Sequence, residues 1–266
     1  MKYDLFDTHA HYTDRRFETE HEGGAEELLR ALFENGVGKI INVATNLQNS
    51  LEVIEQAKKF DDMYAAVGLH PSDCKEINDL DAELEGIEAL ISNKKENKIV
   101  ALGEIGLDYY WEPIEKEKQI EVFERQMRLA DKYGIPVIIH DRDAHGDTFD
   151  MLMRFPNVKG ILHSCSASAE MVRQLTKTGN WYISFSGTVT FKNASKVRES
   201  AAATPLDRIL CETDCPYLAP HPHRGKMNHS GLMCHTVEAL AGVHNLEVDE
   251  MRRILFKNAE KVFNLQ

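Results

Sequence analysis

Short apolar runs recur along the chain, each followed by a stretch in which apolar residues return every three or four positions. The runs read as strands at residues 3–6, 39–43, 64–68, 99–102, 137–139, 160–162, 181–185 and 208–211. They are rich in Val, Ile, Tyr and Phe, which suit a pleated, half-buried surface. The stretches between them read as helices. Residues 25–33 carry the amphipathic spacing and stop at Asn35-Gly36, as a helix C-terminus does. Asn49 is placed to cap a helix running to Phe60, and residues 80–91 form another. The longest, 115–133, sets Ile120, Phe123, Met127 and Ala130 on one stripe and stops at Gly134 and Pro136. Helices at 147–155 and 167–177 follow, and the chain is helical from about Ser230 onward.

No linker or low-complexity segment interrupts the alternation. About eight strand–helix units at near-regular spacing predict an α/β fold, a TIM-type (β/α)8 barrel forming a single domain over residues 1–266. A doubly wound open sheet is the alternative. No G-x-G-x-x-G or Walker loop favours its nucleotide-binding form.

The strand ends carry the chemistry. His9 and His11 lie two apart at the end of the first strand, where alternate side chains share a face, which makes a pair of imidazoles for one metal ion. Glu104 follows the fourth strand, His140 the fifth, His163 the sixth and Asp214 the eighth. In a β/α barrel these carboxyl ends open on one face. Each residue alone has an ordinary reading, as a hydrogen-bonded histidine or, for Asp214, a helix cap. Six together point to a metal centre, because polar and charged groups there are costly unless something pairs them. Histidine and carboxylate donors suit zinc or manganese, or magnesium where carboxylates and water dominate. Six donors exceed the needs of one tetrahedral zinc. Two divalent metal ions bridged by Glu104 use them all.

Composition narrows the setting. The 42% apolar and 28% charged fractions are those of an ordinary globular protein. No apolar run approaches the roughly 18 residues of a membrane helix. Charges at Lys2 and Asp4 argue against a secretory leader. Cys74, Cys165, Cys211, Cys215 and Cys234 are odd in number and form no C-x-x-C pair, so a reduced, cytoplasmic compartment is expected. A net charge of −12 opposes loose binding to nucleic acid, so such a substrate would need local cations or metals.

Several motifs stand in one order: Asp7-Thr8-His9-Ala10-His11, Gly68-Leu69-His70-Pro71, Gly103-Glu104-Ile105-Gly106-Leu107-Asp108-Tyr109, Ile138-Ile139-His140-Asp141-Arg142, Leu210-Cys211-Glu212-Thr213-Asp214-Cys215-Pro216 and His223-Arg224-Gly225-Lys226-Met227-Asn228. On these the chain resembles the TatD family of metal-dependent hydrolases, the TatD-type deoxyribonucleases among the amidohydrolase-like barrels. The resemblance implies that His9, His11 and Asp214 hold one metal, His140 and His163 the other, and Glu104 both. It implies hydrolysis of phosphodiester bonds in DNA, commonly from the 3′ end and commonly with magnesium. Two departures stand out. His163-Ser164-Cys165-Ser166-Ala167 replaces the family's frequent His-Cys-Phe-Ser-Gly, and no Pro follows Asn228 within two residues. Both spare the ligands and bear on the substrate loops.

The expected catalytic groups are Asp214, orienting or deprotonating the attacking water, and the bridging Glu104. His70, Arg142, Arg224 and Lys226 are expected to contact substrate, and Tyr109 or Trp111 to stack a base or serve in core or lid. Cys165 and Cys215 are expected as free buried thiols. The expected partner is DNA, single-stranded or at a 3′ end, with no membrane. The rival reading is hydrolysis of a small ester, amide or phosphoester at the same two-metal site; a barrel that binds metal only for stability comes third.

Overall fold

The computed structural model describes residues 5–111 and 115–265; Lys2, and Tyr3 and Asp4 of the first expected strand, lie outside the described residues. The elements run in chain order β1 (Leu5–Ala10), α1 (Arg15–Glu20), α2 (Gly24–Glu34), β2 (Val37–Val43), α3 (Leu47–Ala57), β3 (Met63–Val67), α4 (Leu80–Ser92), β4 (Ile99–Asp108), α5 (Lys116–Tyr133), β5 (Val137–Arg142), α6 (His145–Arg154), β6 (Gly160–Leu162), α7 (Ala169–Lys177), β7 (Trp181–Phe185), α8 (Ser195–Ala203), β8 (Ile209–Cys211), α9 (Met233–His244) and α10 (Val248–Phe263).

Neighbouring strands pair in parallel and in sequence order from β1 to β8. Past β8 the chain returns to β1: Ala10 bridges Cys215, Asp214 N donates to His9 O at 2.9 Å, and His11 N donates to Cys215 O at 2.8 Å. The result is the expected TIM-type barrel. One apolar residue or more from every strand fills its interior: Phe6, Ile41, Val43, Ala66, Ala101, Ile138, Ile161, Tyr182 and Leu210. Val262 and Phe263 of α10 join this cluster, and Phe6 packs edge-on to Phe256 at 5.6 Å. α10 therefore seals the amino-terminal end, and the carboxyl ends of the strands are left to form the open face.

Side chains of Asp14, Asn46, Asp79 and Ser168 cap α1, α3, α4 and α7. The α3 cap is Asn46 and not Asn49. Asn46 Oδ1 accepts from Asn49 N at 2.9 Å, and the Asn49 side chain turns to Thr13 and Glu52 instead. Two helices went unforeseen. α1 buries only Phe17, and α8 only Ser200 and Ala201, so neither leaves an apolar stripe to read.

Candidate metal centre

Strict alternation along β1 does not by itself aim both histidines into the barrel. Phe6 and Thr8 point inward, the latter with Oγ1 3.3 Å from Ser184 Oγ of β7, so regular pleating would turn His9 outward. A register irregularity between Asp7 and Ala10 corrects this. His9 stacks on His163 inside the barrel with ring centroids 4.1 Å apart. β4 has a matching irregularity between Leu102 and Ile105, and the strand continues to Asp108. Glu104 thus sits within β4 at the irregularity, not beyond its end. His140 likewise lies inside β5, and His163 follows β6 directly.

The six expected donors converge. His9 Nε2 lies 3.0 Å from His11 Nε2, 3.4 Å from Glu104 Oε2 and 3.7 Å from Asp214 Oδ1. His11 Nε2 lies 3.4 Å from Asp214 Oδ1 and 3.7 Å from Glu104 Oε2. On the other side, Glu104 Oε1 lies 2.7 Å from both His140 Nδ1 and His163 Nε2, which are 3.2 Å apart. Metal–ligand bonds of about 2.0–2.2 Å place tetrahedral donors roughly 3.3–3.6 Å from one another. Octahedral neighbours at similar bond lengths stand about 2.8–3.1 Å apart. The observed spacings of 2.7–3.7 Å span these ranges, so the residues fit divalent-metal binding.

The outer nitrogens fix the tautomers. His11 Nδ1 donates to Val43 O at 2.9 Å, and His140 Nε2 donates to Asp108 Oδ2 at 3.0 Å. Glu212 Oε1 accepts from His163 Nδ1 at 3.2 Å and from Ser164 N at 2.8 Å. Each outer nitrogen is thus held by an acceptor while the inner nitrogen faces the cluster, the arrangement of a metal-binding imidazole. His70 differs. Its Nδ1 accepts from Ser72 N at 3.1 Å, so the proton is on Nε2, 3.6 Å from Glu104 Oε1. Although His70 is near enough to Glu104 and His140 to complete a ligand triad, this tautomer makes it a hydrogen-bond donor to the cavity.

Electrostatics agree with a ligand role for the carboxylates. Burial alone would push Glu104 up, but His163, His70 and His9 hold it well below the usual carboxylate range. Asp214 is also pushed up by burial, and its bond to His11 and the charge of His9 bring it below its ordinary value. Both stay ionised, as metal ligation requires. Asp7 behaves otherwise. Burial pushes it up to about 6, against bonds from Thr213, Ser230 and His9 N. It ties β1 to Thr213, after β8, and to Ser230, just ahead of α9.

A cavity of about 1020 Å³ opens over the cluster. His70 and Arg142 line it, as do Trp111, Asn46, Asn49, Ser164, Ser166 and Thr188. Arg224 and Lys226 are exposed on the loop after β8 and do not line it; the Arg224 guanidinium lies 4.3 Å from the centre of the Phe191 ring. Tyr109 is half-buried, with its hydroxyl on Asp147 at 2.9 Å, whereas Trp111 is 58% and Tyr110 50% exposed. Arg142 packs over Tyr110 at 3.8 Å. Cys165 lines the cavity as a free thiol that burial pushes up to about 12, and burial also raises the free thiol of Cys215. Neither supplies a thiolate. Asp108 and Glu212 carry no strand-end signal that singles them out, although both stand in the motifs at residues 103–109 and 210–216. No helix among the described residues is long and apolar enough to cross a membrane.

Comparison with known proteins agrees with this geometry. The chain is 38% identical over 263 residues to the metal-dependent hydrolase YabD of Bacillus subtilis, covering 98% of this chain and 99% of that one. It is 35% identical over 263 residues to the metal-dependent hydrolase YcfH of Escherichia coli K12, covering 98% and 96%. Both carry the description "uncharacterized". The crystal structure of the TatD homologue YjjV from Escherichia coli K12 superposes with a TM-score of 0.91 at 30% identity, covering all of both chains. A hydrolase of the TatD family from Entamoeba histolytica shares the fold with a TM-score of 0.84 at 21% identity, covering 99% of each chain. The profile of the family described as TatD related DNase matches residues 6–264. With the barrel, the converging donors and these relatives in view, the chain belongs to the TatD family of metal-dependent hydrolases.

Proposed function

We propose that this hydrolase is a deoxyribonuclease that releases nucleotides from the 3′ end of single-stranded DNA. Two divalent cations, magnesium, manganese or zinc, would be held by His9, His11, Glu104, His140, His163 and Asp214. The observation that supports this most directly is the splayed use of Glu104. Its Oε2 faces His9 and His11, and its Oε1 faces His140 and His163. A carboxylate with each oxygen in a separate donor cluster is the arrangement of a bridging ligand.

The chemistry that bound cations would supply is Lewis acidity and a more acidic water. The chain's own groups do the rest. Asp214, kept ionised, accepts the proton of the attacking water. His70 directs its Nε2–H at the cavity and donates to a phosphoryl oxygen. Arg142 offsets the remaining phosphate charge. Trp111 lines the cavity beside it and is 58% exposed, which suits stacking of an unpaired terminal base. Arg224 and Lys226, outside the cavity, would meet the strand further along. The domain is one catalytic unit, acting in the cytoplasm.

A second reading keeps the same centre but takes a small ester, amide or phosphoester. Asp14, Glu52 and Asp141 on the cavity wall favour it, since they repel a polyanion. Incubation of the metal-reconstituted protein with 5′-labelled single-stranded and duplex oligonucleotides, and with small acyl and phosphoryl esters, separates the two. A ladder shortening from the 3′ end of the single strand, abolished by EDTA, is expected. Turnover of small esters with the oligonucleotides left intact would overturn the nuclease reading.

A further inference from the structure

Glu212 stands one turn of the pleat above Leu210, inside the barrel and beneath the metal centre, with no solvent exposure. A buried carboxylate is costly unless its oxygens are paired. Oε1 is paired twice, with Ser164 N and His163 Nδ1. Oε2 has no hydrogen-bond partner among the described residues, and neither does Nδ1 of His9. A carboxylate oxygen of Glu212 and one ring nitrogen each of His9 and His163 lie within 4.8 Å of one another. The two rings are stacked 15° from parallel, and both present Nε2 to Glu104. An imidazole that ligates through Nε2 carries its proton on Nδ1 and needs an acceptor for it.

We infer that Glu212 is a positioning residue for both histidines: its Oε1 receives the Nδ1–H of His163 directly, and its open Oε2 is the acceptor to which the unpartnered Nδ1–H of a metal-loaded His9 turns. The inference rests on the metal-centre reading above. His9 belongs to one side of Glu104 and His163 to the other. Glu104 therefore joins the two sides at their ligand ends, and Glu212 joins them at their outer ends. Loosening Glu212 should weaken both sides together, while loosening Asp108 acts on His140 alone.

Glu212→Gln tests this. The amide keeps the shape but offers one acceptor and one donor, so only one Nδ1–H can be received. Cobalt(II) titration, followed by visible absorption and by metal analysis, is the readout. The variant is expected to bind cobalt about 10–100-fold more weakly, with the absorption bands of the saturated form unchanged and with metal-free melting at or above the wild-type temperature. Glu212→Asp should recover part of the affinity. Wild-type cobalt affinity in Glu212→Gln with a lowered melting temperature would overturn the inference and leave Glu212 a structural residue. Shifted cobalt bands would also overturn it, since Glu212 would then be a direct ligand. Should the variant fail to fold, long-range proton–nitrogen NMR of the zinc-loaded wild type reads the tautomers directly. A proton on Nε2 of His9 or His163 overturns the inference. A wild type that binds no cobalt refutes the metal centre itself, a separate result.

Discussion

Asp7 and Asp214 show how one residue type takes two tasks from its surroundings. Asp7 is fully buried between the barrel and α9, saturated by hydroxyls and amides, and burial lifts it to about 6. Asp214 faces the cavity among histidines that hold it ionised. Its backbone φ of +58° is left-handed, a conformation that Asn tolerates as well as Asp. Asp214→Asn should therefore preserve the backbone and its hydrogen bond to His9 O while removing the charge and the proposed base. We expect circular dichroism and melting close to wild type, and a turnover lower by about 10²–10⁴-fold, the range for a lost general base. Wild-type turnover in Asp214→Asn would remove Asp214 from the catalytic machinery. Its left-handed backbone left no trace in the sequence.

At the scale of elements, the barrel was legible because each strand needs an apolar interior face and each covering helix a stripe. Residues 160–162 and 181–185 were read to the residue. Where that stripe is absent, as in α1 and α8, pattern reading had nothing to detect. The donors were legible as strand-end residues, but their inward aim was not. It depends on register irregularities in β1 and β4, which arise from how neighbouring strands meet and not from local residue choice. Gly106 makes that dependence testable. It pairs with His140 at φ +145°, and a Cβ there would stand 2.0 Å from His140 O. Gly106→Ala must therefore push β5, with His140, away from β4. Gly134 ends α5 at φ +54°, where a Cβ meets nothing within 4 Å. Gly134→Ala should cost only the conformational strain of about 1–2 kcal/mol. Gly106→Ala should exceed this, reaching the roughly 4 kcal/mol of severe substitutions, with loss of cobalt affinity. Urea unfolding of the two variants decides it; equal midpoints would mean that β4 accommodates the methyl group.

At the scale of the whole molecule, a chain of net charge −12 approaching a polyanion should behave unlike a basic nuclease. The cavity wall offers Arg142 as its one lysine or arginine among the described residues, together with Asp14, Glu52 and Asp141. Long-range repulsion is felt most where the Debye length is longest, about 30 Å at 0.01 M salt against about 10 Å at 0.1 M. Raising salt across that interval at fixed magnesium should therefore lower KM for an oligonucleotide, because screening removes repulsion before it weakens attraction. Beyond it, the loss should be shallow. One phosphate neutralised by Arg142 corresponds to a slope of about −0.7 in log affinity against log salt on a single strand. Arg142→Gln should flatten that slope towards zero and raise KM more than it lowers kcat, because in the proposed role the guanidinium meets phosphate and not the attacking water. A slope of several units in the wild type would mean that a wider basic track, reaching out to Arg224 and Lys226, carries the strand instead. The exposed loop after β8, and not the cavity wall, would then set the affinity.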